Sequence, residues 1–266
     1  MTPIWKNKVA VITGAASGIG RGLAEHAAGL GMKLVLADID KPALAQVAAG
    51  LARAEVITVE TDVSDLASVE RLAATAYEHF GRVDLVFNNA GVMVTGFSWE
   101  IPPAQFQRAL DININGVING ARAFVPRLRE QGGSAVIVNT ASIGGLLASP
   151  LMAPYSVSKF AVVAFTESLK AELAMLEPPI QVSLLCPGPV TSDIFNNPLG
   201  DCGDNAAVAQ FVEQLQQHLQ NDGISPAELA QRAFAGIDAG KFWLFPQPEA
   251  LKAGFQEKVS RILDAL

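Results

Sequence analysis

The chain has 266 residues, of which half are apolar and 17% are charged, so it can bury a large core. This length fits one large α/β domain or two small ones. The formal net charge is -7 and no basic run is present, which argues against nucleic acid or an anionic membrane as the main partner. Two cysteines, Cys186 and Cys202, are too few for a disulfide scaffold. With no apolar run approaching ~20 residues and no secretory pattern at the N-terminus, we expect a cytoplasmic protein.

A glycine-rich turn follows the first predicted strand. The apolar run 8–13 leads into glycines at positions 14, 18 and 20, and the helical spacing of apolar residues begins at Ile19. Glycines permit a tight turn and close approach to a phosphate, which the free N–H groups of a helix N-terminus can bind. A simple turn is the alternative, but the order strand, glycines, helix favours a dinucleotide cofactor. The predicted contacts are Gly14, Ser17, Gly18, Ile19 and Gly20.

Asp38 ends the second predicted strand, 33–38, and lies 24 residues after Gly14. A carboxylate at this place can accept hydrogen bonds from both ribose hydroxyls of an adenosine, and it would repel a 2′-phosphate. Capping of the next helix is the alternative role, but Asp40 can fill it. No arginine or lysine stands next to Asp38 or at position 17 to receive a phosphate. We therefore expect NAD rather than NADP.

The ends of the third and fourth predicted strands carry further candidates. Asp62 follows the strand 55–60, and it could bind the adenine amino group or simply be a turn residue. Amides and small residues follow the strand 83–88. A doubly wound sheet binds its ligand in the crevice at the carboxyl ends of its strands. The predicted cofactor contacts in these two places are Asp62, Val63, Asn89, Ala90 and Gly91.

A helix over about 104–131 is predicted to carry Asn113 and Asn115 in its middle. Asparagine is mildly unfavourable inside a helix, because its side chain competes for backbone hydrogen bonds. Residues two apart point to different faces of a helix, so at most one of these asparagines can face the crevice.

Ser142 closes the apolar run 134–142, which is typical of a buried strand. Tyr155 and Lys159 are four residues apart, so they share one face of the helix that follows. Such pairs are usually exposed neighbours, but a serine in the same cleft would suit proton transfer to or from a hydroxyl or carbonyl. Tyr155 would be the acid/base, Lys159 the cation that lowers its pKa, and Ser142 a donor to the substrate oxygen.

A rigid run, 187–192, follows the sixth predicted strand, 180–186. Residues 191–225 then mix loop and polar-helix patterns. An insertion at the carboxyl end of a strand is where a substrate lid would lie.

The remaining pattern is a helix over 226–239, a strand over 241–245 and an extra amphipathic helix within 247–266. No repeat or linker divides the chain, so we predict a single domain, residues 1–266. The histidines have no partners at metal-ligand spacing, so no metal site is expected at His26, His79 or His218.

Taken together, these motifs resemble the short-chain dehydrogenase/reductase family across nearly the whole chain. The resemblance implies an α/β fold: a Rossmann-type doubly wound parallel sheet of seven strands, order 3-2-1-4-5-6-7, with helices on both faces. It further implies NAD(P)-dependent oxidation of alcohols or reduction of carbonyls, and assembly into homodimers or homotetramers. The motifs are Thr13-Gly14-x3-Gly18-x-Gly20, Asn88-Asn89-Ala90-Gly91, Asn113, Ser142, Tyr155-x3-Lys159 and Pro187-Gly188.

The resemblance also assigns individual roles. Asn113, not Asn115, would belong to the catalytic tetrad with Ser142, Tyr155 and Lys159. Asn113 would hold a water in a proton relay, and Lys159 would also bind the nicotinamide ribose. The loop after the sixth strand would contact the cofactor through Pro187, Gly188, Val190 and Ser192.

Two features depart from the family pattern. The hydroxyl expected near the nicotinamide carboxamide falls on Ser192, with Thr191 just before it as the alternative. The C-terminus lacks the common glycine-rich ending. It is loosely similar to that of the branch with bacterial dehydrogenases of lignin-derived aryl alcohols.

The residues nearest the predicted tetrad are mostly apolar, and residues 193–225 contain no arginine or lysine. A buried anionic substrate would lose its hydration there without a cationic partner. An aryl-bearing secondary alcohol or its ketone would instead gain from burial. The alternative is that these side chains only line the core under the lid. The predicted substrate contacts are Ser142, Gly144, Leu147, Met152, Tyr155, Pro189, Ile194 and Phe195.

Three other functions are alternatives to this prediction. An NAD-binding regulator of the same fold has no need of the Tyr155 and Lys159 pair. NAD-dependent epimerases and dehydratases usually have a different glycine spacing and a longer C-terminal substrate domain. A reductase of another small carbonyl, such as a steroid or 3-oxoacyl compound, stays an alternative. We therefore predict an NAD-dependent enzyme acting on CH–OH groups.

Overall fold

Parallel strands alternate with helices along the chain. The computed structural model describes residues 4–177, 179–192 and 205–266. Its central strands are buried along their whole length, which is typical of parallel sheets, whereas the edge strand formed by residues 56–60 is partly exposed. The strands are β1 (Val9–Thr13), β2 (Lys33–Asp38), β3 (Val56–Glu60), β4 (Leu85–Asn88), β5 (Ala135–Thr140), β6 (Ile180–Leu185) and β7 (Trp243–Leu244).

These seven strands form one parallel sheet in the order β3-β2-β1-β4-β5-β6-β7. The predicted α/β fold and strand order are confirmed. β1 pairs with β2 on one side and with β4 on the other, so the direction of winding reverses there. The reversal opens a crevice at the carboxyl ends of β1 and β4, where folds of this type bind ligands. β7 is shorter than the predicted strand 241–245, because only Trp243 and Leu244 pair with β6.

Helices cover both faces of the sheet. Ile12 belongs to a buried cluster with Leu23 and Phe234, whereas its neighbour Val11 belongs to a second cluster with Phe124 on the opposite face. The helices are α1 (Gly18–Gly29), α2 (Lys41–Gly50), α3 (Leu66–Phe80), α4 (Pro103–Leu110), α5 (Gly116–Gln131), α6 (Ala153–Leu176), α7 (Ala206–Asp222), α8 (Pro226–Asp238) and α9 (Glu249–Leu263).

The predicted single helix over 104–131 is interrupted. A π-helical turn, Asp111–Asn115, joins α4 to α5, and the N–H of Gly116 reaches back to the carbonyl of Asp111. The wider turn changes the helical phase in the middle of the segment. The sequence prediction of an uninterrupted helix is therefore wrong at the place where Asn113 lies.

The C-terminal helix packs on the body of the protein only along its first half. The predicted apolar stripe begins with the buried Leu251, but Val259, Ile262, Leu263 and Leu266 are exposed. Of the predicted lid, 191–225, the structure describes α7 and the residues beside it. The predicted substrate contacts Ile194 and Phe195 lie outside the described residues.

Candidate active site

The glycine turn between β1 and α1 has no room for a side chain at Gly14 or Gly20. Gly14 has a φ of +67°, and a Cβ there would lie 2.8 Å from the Cα of Ala90. A Cβ on Gly20 would lie 2.0 Å from the carbonyl oxygen of Gly14. Ser17 precedes α1 without a side-chain capping bond, so its side chain does not occupy the N–H groups of the first helical turn. This geometry fits a phosphate. The predicted contacts Gly14, Ser17, Gly18, Ile19 and Gly20 all lie in this turn or at the start of α1.

Asp38 faces the glycine turn from the end of β2. Its carboxylate accepts hydrogen bonds from the N–H groups of Ala16 at 2.9 Å and Asp40 at 3.0 Å. Asp40 caps α2 by accepting from the N–H of Ala43 at 3.0 Å, so the alternative role is taken by Asp40. Each oxygen of Asp38 keeps acceptor capacity for a ribose hydroxyl. The glycine turn and Asp38, the two parts of the predicted cofactor site, are thus joined by a direct hydrogen bond.

Asp62 forms the turn after β3. It accepts from the N–H of Ser64 at 2.9 Å and from its hydroxyl at 2.6 Å, and Nη2 of Arg108 lies 3.5 Å from its second oxygen. Burial opposes the charge, but the bonds from Ser64 and the charge of Arg108 outweigh it and lower the pKa of Asp62. Val63 is buried, and its side chain would block any Cβ on Gly116. Asp62 therefore acts as a turn residue, and its contact with the adenine stays a prediction.

Thr13 joins β1 to the residues after β4, a role that motif spacing does not reveal. Its hydroxyl accepts from the N–H groups of Asn89 at 2.9 Å and Ala90 at 3.1 Å, and it donates to the carbonyl of Phe87 at 3.2 Å. The side-chain amide of Asn89 donates to the carbonyl of Thr13 at 3.0 Å. A buried hydroxyl must find partners, so a threonine directly before the glycine turn is the signal that could have identified this link.

Asn113 is buried and braces the chain after β4. Its Oδ1 accepts from the N–H of Val92 at 2.8 Å, and its Nδ2 donates to the carbonyl of Val92 and to Ser158 Oγ, each at 3.0 Å. Asn115 is exposed and bonds to Asp111 instead. Asn113 is thus the buried member of the pair and Asn115 the exposed one. Holding a relay water stays a prediction, since the side chain of Asn113 is engaged with Val92 and Ser158.

Lys159 is a buried cation with 3% exposure. Its Nζ donates to the carbonyl of Thr140 at 2.9 Å and lies 5.7 Å from the ring centroid of Tyr155. A Cβ on Gly91 would lie 3.4 Å from this Nζ and 3.3 Å from Oδ1 of Asn113. Gly91 therefore lets the backbone pass close to both side chains.

Ser142 and Tyr155 complete the cluster from the end of β5 and the start of α6. Ser142 Oγ accepts from the N–H of Gly144 at 3.0 Å and donates to the carbonyl of Pro187 at 3.5 Å. Its hydroxyl also hydrogen-bonds with Tyr155. A Cβ on Gly144 would lie 3.2 Å from Cε1 of Tyr155, so the ring packs on this turn. The structure thus brings Ser142, Tyr155, Lys159 and Asn113 together at one edge of the sheet.

Burial dominates the protonation of these groups. It raises the pKa of Tyr155, which the hydrogen bond from Ser142 only partly offsets. It lowers the pKa of Lys159 to about 8 and raises the pKa of the Cys186 thiol to about 12. The predicted lowering of the pKa of Tyr155 by Lys159 is not found among the groups of this chain, because burial raises this pKa instead.

The loop after β6 passes close to the glycine turn. The N–H and hydroxyl of Thr191 both point to the carbonyl of Ile224, at 3.0 and 3.1 Å. Val190 forms an isolated parallel bridge with the same residue. The Cβ of Ser192 lies 3.5 Å from the place that a Cβ on Gly18 would occupy. Of the two predicted alternatives, Ser192 is the hydroxyl that adjoins the cofactor turn.

Apolar side chains pack with Tyr155 in one cluster. Met93 and the predicted contact Met152 are buried there, and Leu147 lies farther along against Gly254 of α9. Four residues of α7 that were not predicted as substrate contacts join the cluster. Their helical spacing is the signal that could have shown them. They are Phe211, Val212, Leu215 and Leu219.

A family model described as short chain dehydrogenase matches residues 8–201. The chain belongs to the short-chain dehydrogenase/reductase family. It is similar to a short-chain dehydrogenase/reductase from Burkholderia phymatum, solved in complex with NAD, with 41% identity, a TM-score of 0.93 and coverage of 97% of this chain and 95% of that one.

Two curated relatives extend the comparison. A "CLA biosynthesis dehydrogenase/reductase" of Lactiplantibacillus plantarum is 32% identical, over 97% of this chain and 94% of the relative. A 1-deoxy-11-beta-hydroxypentalenate dehydrogenase of Streptomyces exfoliatus is 39% identical, over 79% of this chain and 78% of the relative. Both are named as oxidoreductases, as family membership implies.

Among the described residues, no helix is long and apolar enough to cross a membrane. In the same ranges, no three histidine, cysteine, aspartate or glutamate side chains group as metal ligands.

We expect Asp38→Ala to weaken NAD binding about tenfold, because a charged acceptor for the ribose is lost. Binding of NADP should weaken less or improve, since repulsion of the 2′-phosphate is also lost. Calorimetric titration with each cofactor measures both effects. Asp40→Ala removes only a helix cap and should keep the wild-type preference. A wild-type protein that already prefers NADP would contradict the role given to Asp38.

Burial of Lys159 should cost stability below pH 8. The fall in its pKa from 10.5 to about 8 corresponds to about 3 kcal/mol. A methionine at this position would avoid that cost but would lose the hydrogen bond to Thr140, which is worth about 1 kcal/mol. Lys159→Met should therefore raise the free energy of unfolding by about 2 kcal/mol at pH 7.

The pH dependence of this effect has a definite sign. Between pH 8 and 10.5 the folded protein binds fewer protons than the unfolded chain, so the wild type gains stability as pH rises through that window. The advantage of Lys159→Met should shrink accordingly in urea titrations at pH 7 and pH 10. The exposed control Lys252→Met should show neither effect. A Lys159→Met protein less stable than wild type at pH 7 would rule this account out.

Proposed function

We propose that this chain is an NAD-dependent oxidoreductase that interconverts a hydrophobic, aryl-bearing secondary alcohol and its ketone. The observation that carries the proposal is the position of Tyr155. Its hydroxyl hydrogen-bonds with Ser142, Nζ of Lys159 lies 5.7 Å from its ring centroid, and its ring belongs to the apolar cluster of Met93, Met152 and α7. A proton-transfer group thus adjoins an apolar surface.

The cofactor part of the proposal rests on the glycine turn and Asp38. The turn leaves no space for a side chain at Gly14 or Gly20, and the carboxylate lies beside it, so the pair fits the pyrophosphate and adenosine ribose of NAD. Bound NAD would supply or accept the hydride, while the protein orients the reactants. The NAD complex of the Burkholderia phymatum relative supports the same choice.

The polar cluster would move the proton. In the oxidation direction the Tyr155 phenolate would take the proton of the alcohol, and Ser142 would donate a hydrogen bond to the substrate oxygen. Lowering the pKa of Tyr155 from about 10 to about 7 requires about 4 kcal/mol of differential stabilisation. Lys159 contributes one positive charge at 5.7 Å from the ring, and the bound cofactor would add a second.

The substrate class follows from the surroundings of Tyr155. α7 contains no arginine or lysine, and its inner side adds phenylalanine, valine and leucine to the cluster. An aryl group would gain roughly 25 cal/mol for each Å² of apolar area buried there. A carboxylate or phosphate would lose hydration without a cationic partner on this helix.

A second function of the same fold, NAD sensing without catalysis, is disfavoured by the cluster itself. Keeping Lys159 buried lowers its pKa to about 8 and costs stability, which a pure sensor would have no reason to bear. A steroid or 3-oxoacyl reductase would use the same polar groups. The relatives named as dehydrogenases and reductases support the reaction class. A comparison of kcat/KM values distinguishes an aryl alcohol from these other substrates.

Tyr155→Phe should abolish turnover, with a loss of at least about a thousandfold in kcat, while NAD still binds. The change removes only the hydroxyl that carries the proton. The chain has two tyrosines, so Tyr77→Phe is a matched control that loses its bond to Gln131 far from the cluster and should keep its activity. Turnover near the wild-type value in Tyr155→Phe would remove this residue from the mechanism.

The substrate class is tested by comparing 1-arylpropanol-type alcohols with small hydroxy acids and sugar alcohols at saturating NAD. We expect kcat/KM to be about a hundredfold higher for the aryl alcohols, a difference of about 3 kcal/mol that burial of one aromatic ring can supply. Formation of the reduced cofactor is followed by absorbance. Higher kcat/KM for the acids or sugars would refute the proposed substrate, although not the enzyme class.

We further propose a homodimer or homotetramer. Val157 on α6 is 50% exposed, Ala164 is exposed on the same helix, and the end of α9 leaves a second apolar surface uncovered in the single chain. Such surfaces are typical of subunit contacts. Light scattering at micromolar concentration should give two or four times the 28.0 kDa chain mass. A monomer would contradict the proposal.

A further inference from the structure

Gln247, in the connection between β7 and α9, bonds twice to the loop after β6. It is 8% exposed. Its Oε1 accepts from the N–H of Gly188 at 3.1 Å, and its Nε2 donates to the carbonyl of Pro189 at 2.5 Å. The loop's backbone therefore bonds to a side chain that lies 58 to 59 residues farther along the chain.

A neutral primary amide can supply both the acceptor and the donor that the loop backbone needs at position 247. The N–H of Gly188 can only donate and the carbonyl of Pro189 can only accept, which fixes the orientation of the amide. An ionised glutamate would put negative charge against the carbonyl of Pro189. A leucine would remove the partner of the Gly188 N–H and would leave the Pro189 carbonyl with only the N–H of Ile224, at 3.1 Å. The fit is also tight, because a Cβ on Gly188 would lie 3.1 Å from Oε1 of Gln247 and 3.2 Å from the Cβ of Ala250.

The loop that Gln247 holds adjoins the reacting groups. The carbonyl of Pro187 accepts from the N–H of Ile143 at 2.9 Å and from Ser142 Oγ at 3.5 Å. At its other end the loop reaches Ser192, beside the glycine turn. A shift of this loop would move Ser142 and the cofactor-facing backbone together.

Gln247 is itself held from a third direction. Nη1 of Arg232 donates to the carbonyl of Pro246 at 2.5 Å, and Arg232 is also paired with Glu228 on α8. Farther along α9, Nζ of Lys258 donates to the carbonyl of Leu146 at 2.7 Å. The C-terminal segment therefore contacts both the loop after β6 and the loop between β5 and α6.

We propose that Gln247 is a positioning residue that sets the loop 187–192 for NAD binding, and that the C-terminal segment thereby belongs to the cofactor site. The proposal rests on the proposed function only in taking NAD as the cofactor. It goes beyond that function by giving the extra C-terminal segment a role.

Calorimetric titration of the full-length protein with NAD, without substrate, tests this role. Gln247→Leu keeps the bulk of the side chain but removes both hydrogen bonds, and we expect NAD binding to weaken about tenfold. Gln256→Leu makes the same change at an exposed position of α9 and should bind NAD as the wild type does. Wild-type affinity in Gln247→Leu would overturn the proposal.

Gln247→Glu gives a second test within one folded protein. When protonated, its carboxyl can accept from Gly188 and donate to Pro189 as the amide does, and burial raises the pH at which it protonates above its ordinary pKa of about 4.3. The ratio of variant to wild-type NAD affinity should therefore rise about tenfold between pH 8 and pH 5. A ratio that does not change with pH would overturn the proposal, because a merely structural defect would not reverse on protonation.

Failure of the proposed function is distinguishable from failure of this inference. A wild-type protein that binds NAD but oxidises none of the alcohols refutes the proposed substrate and leaves the Gln247 comparison valid. A wild-type protein that does not bind NAD overturns both.

Discussion

The site depends on a cation kept out of water. Lys159 is 3% exposed, it donates to the carbonyl at the end of β5, and burial lowers its pKa to about 8. The same burial raises the pKa of Tyr155 one helical turn away. Keeping the Lys159 ammonium out of water costs free energy, which a fold optimised only for stability would avoid. It is useful only if a second positive charge arrives to favour the phenolate.

Buried polar contacts keep this arrangement in place. The side-chain amide of Asn88 donates to Asn139 at 2.9 Å, and Asn139 donates to the hydroxyl of Thr166 at 3.0 Å, so β4, β5 and α6 are connected below the site. Among the described residues, Oδ1 of Asn88 is a buried side-chain atom without a hydrogen-bond partner. It lies against Gly120, where a Cβ would approach it to 2.0 Å. The central strands thus fix α6, and α6 fixes Tyr155 and Lys159.

Much of the fold could be predicted from the sequence because its strands are continuous apolar runs bounded by glycine, proline and aspartate. The second strand, 33–38, has the predicted bounds, and the strand order is as the family resemblance implied. The capping role of Asp40 and the inward position of Asn113 also agree with local rules about helix ends and helix faces.

Other features depend on contacts that no local pattern encodes. Within the π turn at Asp111–Asn115, Asn113 bonds to Val92, 21 residues earlier. The bond from Gln247 to Gly188 spans 59 residues, and nothing near Gln247 in the sequence indicates it. The sign of the pKa shift at Tyr155 depends on how completely neighbours exclude water. Residue spacing carries no information about that.

The central claim is that Tyr155 is a neutral phenol among the chain's own groups and ionises when NAD adds positive charge. Because the chain has two tyrosines, ¹³C NMR of protein labelled at tyrosine Cζ gives two signals, and Tyr77→Phe assigns them. The Cζ shift of Tyr155 reports its ionisation directly across a pH titration. The account predicts an apparent pKa above the ordinary value of about 10 without NAD and a pKa lower by about 2 units or more with NAD bound. The same titration curve with and without NAD would contradict it.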